Sequence, residues 1–226
     1  MIFETHAHYD DKMFDEDRES LLESMQEAGI GRIVNIGADL ASTASSIALS
    51  EKYPFIYAAA GVHPSDAAQL NEHTFQWLSE QTAHEKVVAV GEIGLDYYWE
   101  KDPEVRANQR YWFRRQLNLA REKVLPVSIH SRDAAKDTLD IAKEEHLAEI
   151  GGVVHCFSYT VEMAREYLNM GMYLGIGGVL TYKNARVLKE VVDYAPMDRI
   201  VLETDSPYLT PVPNRGKRNS SLNLPY

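Results

Sequence analysis

Short apolar runs alternate with helical segments along most of the chain, and this alternation is the strongest constraint on its fold. Eight runs of strand length are predicted, starting near residues 2, 32, 55, 86, 125, 152, 172 and 199. They are continuously apolar, as is typical of strands buried on both faces of a parallel sheet. Helical spacing predicts helices over residues 15–28, 41–53, 72–83, 103–123, 160–170 and 184–194, and another that ends near residue 146.

Eight β/α units in one chain of 226 residues predict a single (β/α)8 TIM barrel. A hydrophobic content of 45% is enough for one large core. A doubly wound open sheet is the alternative, because it uses the same alternation of strands and helices. We expect one domain over residues 1–226, in which the final C-terminal helix of a full barrel is lacking after the eighth strand.

Two features bear on where such a protein works. No run of about 18 apolar residues is present, and the N-terminus lacks the basic and apolar regions of a secretory signal. The single cysteine, Cys156, excludes an internal disulfide and fits a reducing cytosol. We therefore expect a cytoplasmic protein with no membrane association, and no obligate protein partner is evident.

The charge balance limits how the chain can bind a polyanion. With 23 Lys and Arg against 34 Asp and Glu, the formal net charge is −11. Proteins that grip a long stretch of nucleic acid are usually basic. If the substrate is a phosphodiester, its phosphate must be held locally, by metal ions and a few basic side chains.

Histidines are concentrated at the predicted strand ends. Of the eight histidines, five lie at or just past the C-terminal end of a strand: His6, His8, His63, His130 and His155. His6 and His8 are two residues apart, so an extended strand directs both imidazoles to one face. The C-terminal ends of all barrel strands open onto one mouth, where active sites lie. We expect these histidines to converge there with Glu92 and Asp205, which occupy equivalent positions.

This set has the composition of a binuclear divalent-metal site. His6, His8 and Asp205 are predicted to hold one ion, and His130 and His155 the other. Glu92 is predicted to bridge the two ions, one carboxylate oxygen on each. Two metals ~3.5–4 Å apart can clamp the attacking and leaving oxygens of a displacement and activate a shared water. Asp205 is also the candidate general base for that water.

The identity of the metal stays open among Zn, Mg, Mn, Fe and Ni. Histidine-rich ligand sets favour zinc, iron or nickel. Magnesium prefers oxygen ligands and is bound by carboxylates and phosphates. The predicted set contains both kinds of ligand.

Further residues are candidates for binding substrate or supporting the ligands. His63 either has such a role or caps a turn, and Glu203 either orients a ligand histidine or belongs to a buried structural pair. Arg132 is a candidate phosphate-binding residue, as are Lys217 and Arg218, whose basic run is otherwise a solvated loop. Asp96 either supports a ligand or forms a turn, and the aromatic residues 97–99 either stack on a base or pack within their own loop. Cys156 is interpreted as a packing residue.

Six ordered motifs together resemble the TatD family of metal-dependent hydrolases. They are Thr5-His6-Ala7-His8, Gly61-Val62-His63-Pro64, Gly91-Glu92-Ile93-Gly94-Leu95-Asp96, Ile129-His130-Ser131-Arg132-Asp133, Val154-His155-Cys156-Phe157-Ser158 and Glu203-Thr204-Asp205-Ser206-Pro207. The resemblance implies a TIM barrel of the amidohydrolase type with two divalent metals and the ligands His6, His8, Glu92, His130, His155 and Asp205. It also implies Mg²⁺-dependent or zinc-bound deoxyribonucleases with 3′–5′ exonuclease action. Glu4 departs from the family, which commonly has Asp there.

The sequence therefore predicts a divalent-metal-dependent hydrolase that cleaves DNA or oligonucleotides through a metal-activated water, with Asp205 and Glu92 as catalytic residues. The first alternative is a hydrolase of the same fold that acts on a small amide, ester or phosphoester. The same activated water serves all these reactions, so only the substrate pocket separates them. A more distant alternative is a non-catalytic metal-binding factor, which predicts that His130→Ala and Asp205→Asn leave function intact.

Overall fold

The computed structural model describes residues 1–226, and its eight parallel strands are hydrogen-bonded in sequence order. The strands are β1 Ile2–Ala7, β2 Ile30–Ile36, β3 Ile56–Ala60, β4 Val87–Asp96, β5 Val127–Arg132, β6 Gly152–Val154, β7 Tyr173–Ile176 and β8 Ile200–Leu202. The helices are α1 Arg18–Ser24, α2 Leu40–Lys52, α3 Glu72–Gln81, α4 Pro103–Lys123, α5 Ala135–Glu144, α6 Val161–Asn169 and α7 Arg186–Tyr194. None of these helices combines the length and the apolar character needed to cross a membrane.

The first and last strands meet through backbone hydrogen bonds. The amide of Asp205 donates to the carbonyl of His6 at 3.0 Å, and the amide of His8 donates to the carbonyl of Ser206 at 2.9 Å. A parallel bridge also joins Ala7 to Ser206. Because these bonds bring the sheet round on itself, the TIM-barrel prediction is confirmed and the open-sheet alternative is wrong.

The largest apolar core covers one side of the barrel. A cluster of 24 buried residues extends from β4 to β7 and the helices that cover these strands. Leu117 of α4 and Ile129 of β5 are completely buried within it. This packing holds β4 and β5 rigidly, and these strands carry Glu92 and His130.

Two element boundaries differ from the sequence-based expectation. Helix α1 is shorter than the predicted 15–28, since the chain leaves the helix after Ser24 and continues as turns. Strand β4 continues to Asp96 instead of ending at Val90. Its extension pairs with β5, and Gly94 faces His130 so closely that an added Cβ would lie 1.9 Å from the His130 carbonyl oxygen. Glycine permits this approach, so Glu92 lies inside the strand rather than beyond it.

A network of polar side chains, here called the Glu4 clasp, joins β1 to the residues that follow β8. One carboxylate oxygen of Glu4 accepts the amides of His6 at 3.2 Å and Thr204 at 2.9 Å. The other accepts the hydroxyls of Thr204 at 2.7 Å and Ser221 at 2.9 Å. Tyr9 completes the clasp with a 2.8 Å hydrogen bond to the Ser221 hydroxyl.

Beside the clasp, the outer surface of the barrel wall is open to solvent. The side chains of Phe3 in β1 and Leu202 in β8 are 49% and 44% exposed. The segment after β8 contains a single 3-10 turn, Ser221–Asn223. Among these residues, the Glu4 clasp and backbone hydrogen bonds join the first strand to the last.

Candidate metal centre

The C-terminal ends of the strands surround a cavity of about 930 Å³. Five of the six predicted metal ligands line it: His8, Glu92, His130, His155 and Asp205. The sixth, His6, lies directly beneath, with its Nε2 3.4 Å from Glu92 Oε2. All six ligands predicted from the sequence therefore meet at one mouth, although they come from five different strands.

Glu92 occupies the middle of this group and faces histidines on two sides. Its Oε2 lies 3.4 Å from His6 Nε2 and 3.8 Å from His8 Nε2. Its Oε1 lies 2.8 Å from His130 Nδ1 and 3.7 Å from His155 Nε2. The two oxygens of one buried carboxylate thus address two different pairs of imidazoles.

In the first pair, the two Nε2 atoms lie 3.2 Å from each other and both are close to Glu92 Oε2. The Nδ1 of His8 lies 3.0 Å from the carbonyl oxygen of Ile36, so Nδ1 carries the proton and donates. The Nδ1 of His6 is 3.2 Å from the Ser128 hydroxyl. Asp205 Oδ1 approaches both Nε2 atoms, at 3.5 Å from His8 and 3.9 Å from His6. The three residues have ligand atoms within 4.8 Å of one another.

Glu203 supports a ligand histidine, which is one of its two interpretations from the sequence. Its Oε1 lies 3.1 Å from His155 Nδ1 and accepts the amide of Cys156 at 2.6 Å. The carboxylate therefore favours a proton on Nδ1 and leaves His155 Nε2 directed to Glu92. Glu203 is almost completely buried, so the imidazole it contacts has little freedom to rotate.

Asp96 has the corresponding place beside His130 and also forms a turn. Its Oδ2 lies 3.1 Å from His130 Nε2, opposite the Nδ1 that faces Glu92. Its Oδ1 accepts the amides of Tyr98 and Trp99. Both interpretations of Asp96 are thus present in one side chain, and His130 presents Nδ1 rather than Nε2 to the centre.

His63 lies within the cluster but has a different protonation pattern. It lies edge-to-face against His130, with its Nε2 3.9 Å from Glu92 Oε1. Its Nδ1 accepts the amide of Ser65 at 3.1 Å, so the neutral ring carries its proton on Nε2. This tautomer makes His63 a hydrogen-bond donor toward the cavity rather than a metal ligand, and the same contact caps the turn.

The charges of the cluster stabilise one another. Burial opposes ionisation of Glu92, but the charge of His155 and hydrogen bonds from His130 and His6 bring its pKa well below its usual range. Burial likewise opposes protonation of His155, and Glu203 and Glu92 outweigh it, which raises its pKa to about 10. Burial and the charge of nearby His130 lower the pKa of His63 to about 4, so its ring is neutral at pH 7.

The donor set fits divalent cations. Imidazole nitrogens and carboxylate oxygens are the ligands of zinc, iron, nickel and manganese, and the three carboxylates nearest the centre also suit harder ions. His6, His8 and Asp205 form one group of ligand atoms that lie within 4.8 Å of one another. His63, Glu92 and His130 form another, in which His63 acts as a donor and leaves Glu92 and His130 as the candidate ligands. A third such group combines His6, His155 and Glu203.

The structure separates the basic candidates predicted from the sequence. Arg132 lines the cavity, as expected for a residue that contacts phosphate. Arg218 is instead paired with Asp17 and packs against the ring of Phe14, and neither it nor Lys217 lines the cavity. Asp17 at the start of α1 neutralises the charge of Arg218, and phosphate binding by Lys217 and Arg218 stays a prediction.

Other lining residues were not foreseen from the sequence. Cys156 lines the cavity rather than packing away from it, because its positive φ of 45° turns it out of the strand geometry. Asp10, Asp11 and Asp39, here called the acidic wall, line the side formed by the loops after β1 and β2. These aspartates lie just past the ends of strands, which is the same sequence signal that identified the histidines.

The fold and the residues at its mouth define the class of protein, a TIM barrel with the ligand set of a metal-dependent hydrolase. Residues 3–226 match the family model described as TatD related DNase, and the chain belongs to this TatD family of metal-dependent hydrolases. The predicted family is thereby confirmed.

Individual relatives agree with this assignment. The chain is 46% identical over 226 residues to the uncharacterized metal-dependent hydrolase YabD of Bacillus subtilis (strain 168), and the match covers 100% of this chain and 88% of the relative. The crystal structure of YjjV, a TatD homologue from Escherichia coli K12, superposes with a TM-score of 0.90 at 33% identity, covering 98% of this chain and 85% of that one. A TatD-family hydrolase from Entamoeba histolytica gives a TM-score of 0.83 at 27% identity, covering 92% and 75%.

Proposed function

We propose that the protein is a divalent-metal-dependent deoxyribonuclease that removes nucleotides from DNA in the 3′–5′ direction. The description of the matching family, TatD related DNase, supports DNA as the substrate. The single cysteine supports a cytoplasmic location.

The arrangement of Glu92 is the observation that carries this proposal. Its Oε2 faces His6 and His8, and its Oε1 faces His130 and His155. A carboxylate placed in this way fits a bridge between two cations. His6, His8 and Asp205 would hold one of them, and His130 and His155 the other.

The residues around this centre have distinct tasks in a phosphodiester hydrolysis. Two bound divalent ions would polarise the phosphate and activate water as the nucleophile. Asp205 Oδ1 lies 3.5 Å from His8 Nε2 and 4.0 Å from His155 Nε2, so its carboxylate lies among the residues that would hold the ions. Asp205 is the general base that accepts the proton of the water.

Two cavity residues are suited to hold the phosphate. Arg132 offers several N–H donors in the fork geometry that matches phosphate oxygens. His63 presents an Nε2 proton from the opposite side of Glu92. Together they would orient the phosphorus toward the water and neutralise charge that develops on its oxygens.

Hydrolysis of a 5′-labelled single-stranded DNA with Mg²⁺, Mn²⁺ or Zn²⁺ tests the proposal. We expect a ladder that shortens from the 3′ end, depends on the metal and is absent with Glu92→Ala. A Tyr194→Ala variant, altered on the surface at the end of α7, is the matched control and keeps full activity. A protein that binds metal but leaves DNA intact contradicts the proposal.

A second candidate is a hydrolase of a small phosphoester or amide, and the acidic wall favours it. Asp10, Asp11 and Asp39 line one side of the cavity in a protein of net charge −11, and both features repel a polyanion. The two candidates separate by salt dependence. Binding of DNA weakens steeply as salt rises, whereas binding of a small monoester changes little.

A further inference from the structure

An exposed aromatic pair stands at the mouth of the cavity. Trp99 lines the cavity while 71% of its surface is exposed, and neighbouring Tyr98 is 43% exposed. Their ring centroids lie 4.6 Å apart in an edge-to-face arrangement. Large apolar rings left in solvent at the opening of a site are typical of a surface that a ligand covers.

The backbone of this loop is fixed although its side chains are exposed. Asp96, itself buried, accepts the amides of Tyr98 at 2.9 Å and Trp99 at 3.3 Å. Arg106 of α4 donates to the carbonyl oxygens of Tyr97 and Glu100. Trp99 is therefore an exposed ring on a braced turn, which keeps the entropic cost of binding a flat ligand low.

The same carboxylate connects the loop to the metal centre. Asp96 Oδ2 lies 3.1 Å from His130 Nε2, and His130 Nδ1 lies 2.8 Å from Glu92 Oε1. Asp96 and His130 thus connect the backbone amide of Trp99 to Glu92. A ligand that stacks on Trp99 is held at a fixed offset from the centre.

Arg132 supplies a charge beside the aromatic pair. Its guanidinium carbon lies 4.0 Å from the Tyr98 ring centroid and 5.6 Å from that of Trp99. The guanidinium packs on the rings instead of pairing with a carboxylate. Stacking leaves its in-plane N–H groups available to a ligand. An aromatic ring beside a group that donates hydrogen bonds to phosphate is complementary to one nucleotide, which has a base on one side and a phosphate on the other.

We propose that Trp99, supported by Tyr98 and Arg132, is a stacking subsite for a nucleobase of the substrate strand. This inference rests on the proposed function and names the part of the nucleotide that the mouth recognises. Stacking accepts any base because every base has a π-face. The subsite therefore adds affinity without a preference for sequence, and it favours single-stranded ends, whose bases are free to leave their neighbours.

Two oligonucleotides of equal length separate base recognition from phosphate recognition. One is oligothymidine, and the other has the same backbone with abasic residues in place of the nucleotides. For Trp99→Ala we expect kcat/KM to fall about 10-fold or more on oligothymidine and to stay within about twofold on the abasic strand. Trp99→Phe keeps most of the activity, since phenylalanine also stacks, and Tyr194→Ala is the control for an exposed aromatic outside the mouth. An equal loss on both strands, or no loss on either, overturns the subsite.

Fluorescence separates this inference from the proposed function. The chain has three tryptophans, and Trp112 is buried while Trp99 is open to solvent. Oligothymidine is expected to quench the emission of the metal-loaded protein, whereas the abasic strand and Trp99→Phe give no quenching. Quenching without DNA hydrolysis overturns the nuclease and keeps the subsite. Hydrolysis without quenching or discrimination keeps the nuclease and overturns the subsite.

Discussion

The protein buries two glutamates of the same chemistry in opposite surroundings. Glu92 lies among five histidines, and its pKa falls well below the usual range despite burial. Glu4 lies among hydroxyl and amide groups, with no cation beside it, and burial raises its pKa to about 8. At neutral pH the first carboxyl is charged and the second is protonated, so Glu4 itself donates one of its two hydroxyl contacts, to Thr204 or to Ser221.

The comparison shows that the groups around a buried carboxyl determine whether it is charged, and therefore what it can bind. A charged carboxylate among imidazoles is ready to take a cation, because the energetic cost of its charge is already offset by its neighbours. A neutral carboxyl can only form hydrogen bonds, and Glu4 uses them to join β1 to the segment after β8. Glu92 is thus suited to the proposed metal centre, whereas Glu4 contributes to closure of the barrel.

Removal of the charge at Glu92 is expected to have the largest effect. Glu92→Gln keeps the shape but loses the bridge, so hydrolysis falls by about 10³-fold or more. Bound metal, measured by atomic emission after dialysis, falls below two ions per chain. Glu4→Gln is the matched control, and it keeps both the activity and the metal. Loss of metal in Glu4→Gln would remove the contrast between the two regions.

Truncation of Glu4 is expected to affect stability rather than chemistry. Glu4→Ala leaves the hydroxyls and amides of the Glu4 clasp without their acceptor, at a cost of about 3 kcal/mol. Urea unfolding measures this loss as a shift of the midpoint at unchanged slope. At a temperature where the variant is folded, kcat stays near that of the wild type. A large fall in kcat at full stability would assign Glu4 to the chemistry instead.

The raised pKa of Glu4 predicts the sign of a pH effect on stability. The ordinary pKa of this carboxyl is 4.5, and the folded protein holds its proton up to about pH 8. Because the folded state binds more protons in this window, stability falls as the pH rises from about 4.5 to about 8, by a few kcal/mol. Chelator-treated protein is the sample, so that metal does not compete. Glu4→Gln is expected to flatten the decline, and an unchanged slope in this variant contradicts the assignment.

The smallest expected effect concerns the far end of the Glu4 clasp. Ser221→Ala removes one donor to Glu4 and one partner of the Tyr9 hydroxyl, and should cost about 1 kcal/mol. Thermal unfolding measures it, with Ser220→Ala as the neighbouring control. If both serine variants unfold alike, Ser221 has no particular role in closing the barrel.

Much of the fold and of the metal centre was predictable, because both follow from a periodic pattern. Strands that alternate with helices have few arrangements, and parallel strands bring their C-terminal residues together. His130 and Asp205 could therefore be placed at one mouth from their position after a strand. The length of β4 was not predictable in this way, since it depends on how closely Gly94 approaches His130.

What the sequence did not reveal depends on contacts between distant residues. Arg218 forms an ion pair with Asp17, which lies 201 positions earlier in the chain. One charge of the basic run that was predicted to bind phosphate is therefore neutralised by a distant carboxylate. The role of His63 depends on the tautomer set by the amide of Ser65. Glu4 stands where the family commonly has aspartate, and its carboxyl forms a hydrogen bond directly with Ser221 of the C-terminal segment.

The separation of the clasp residues along the chain has a consequence for how the protein is made. Glu4 bonds to Thr204 and Ser221, 200 and 217 positions away. Contacts of such range form late, because loop closure must precede them and the ribosome delivers the N-terminus first. His6 and His8 can meet Asp205 only after the strands between β1 and β8 have been made. The set of predicted ligands is therefore complete only when the barrel closes.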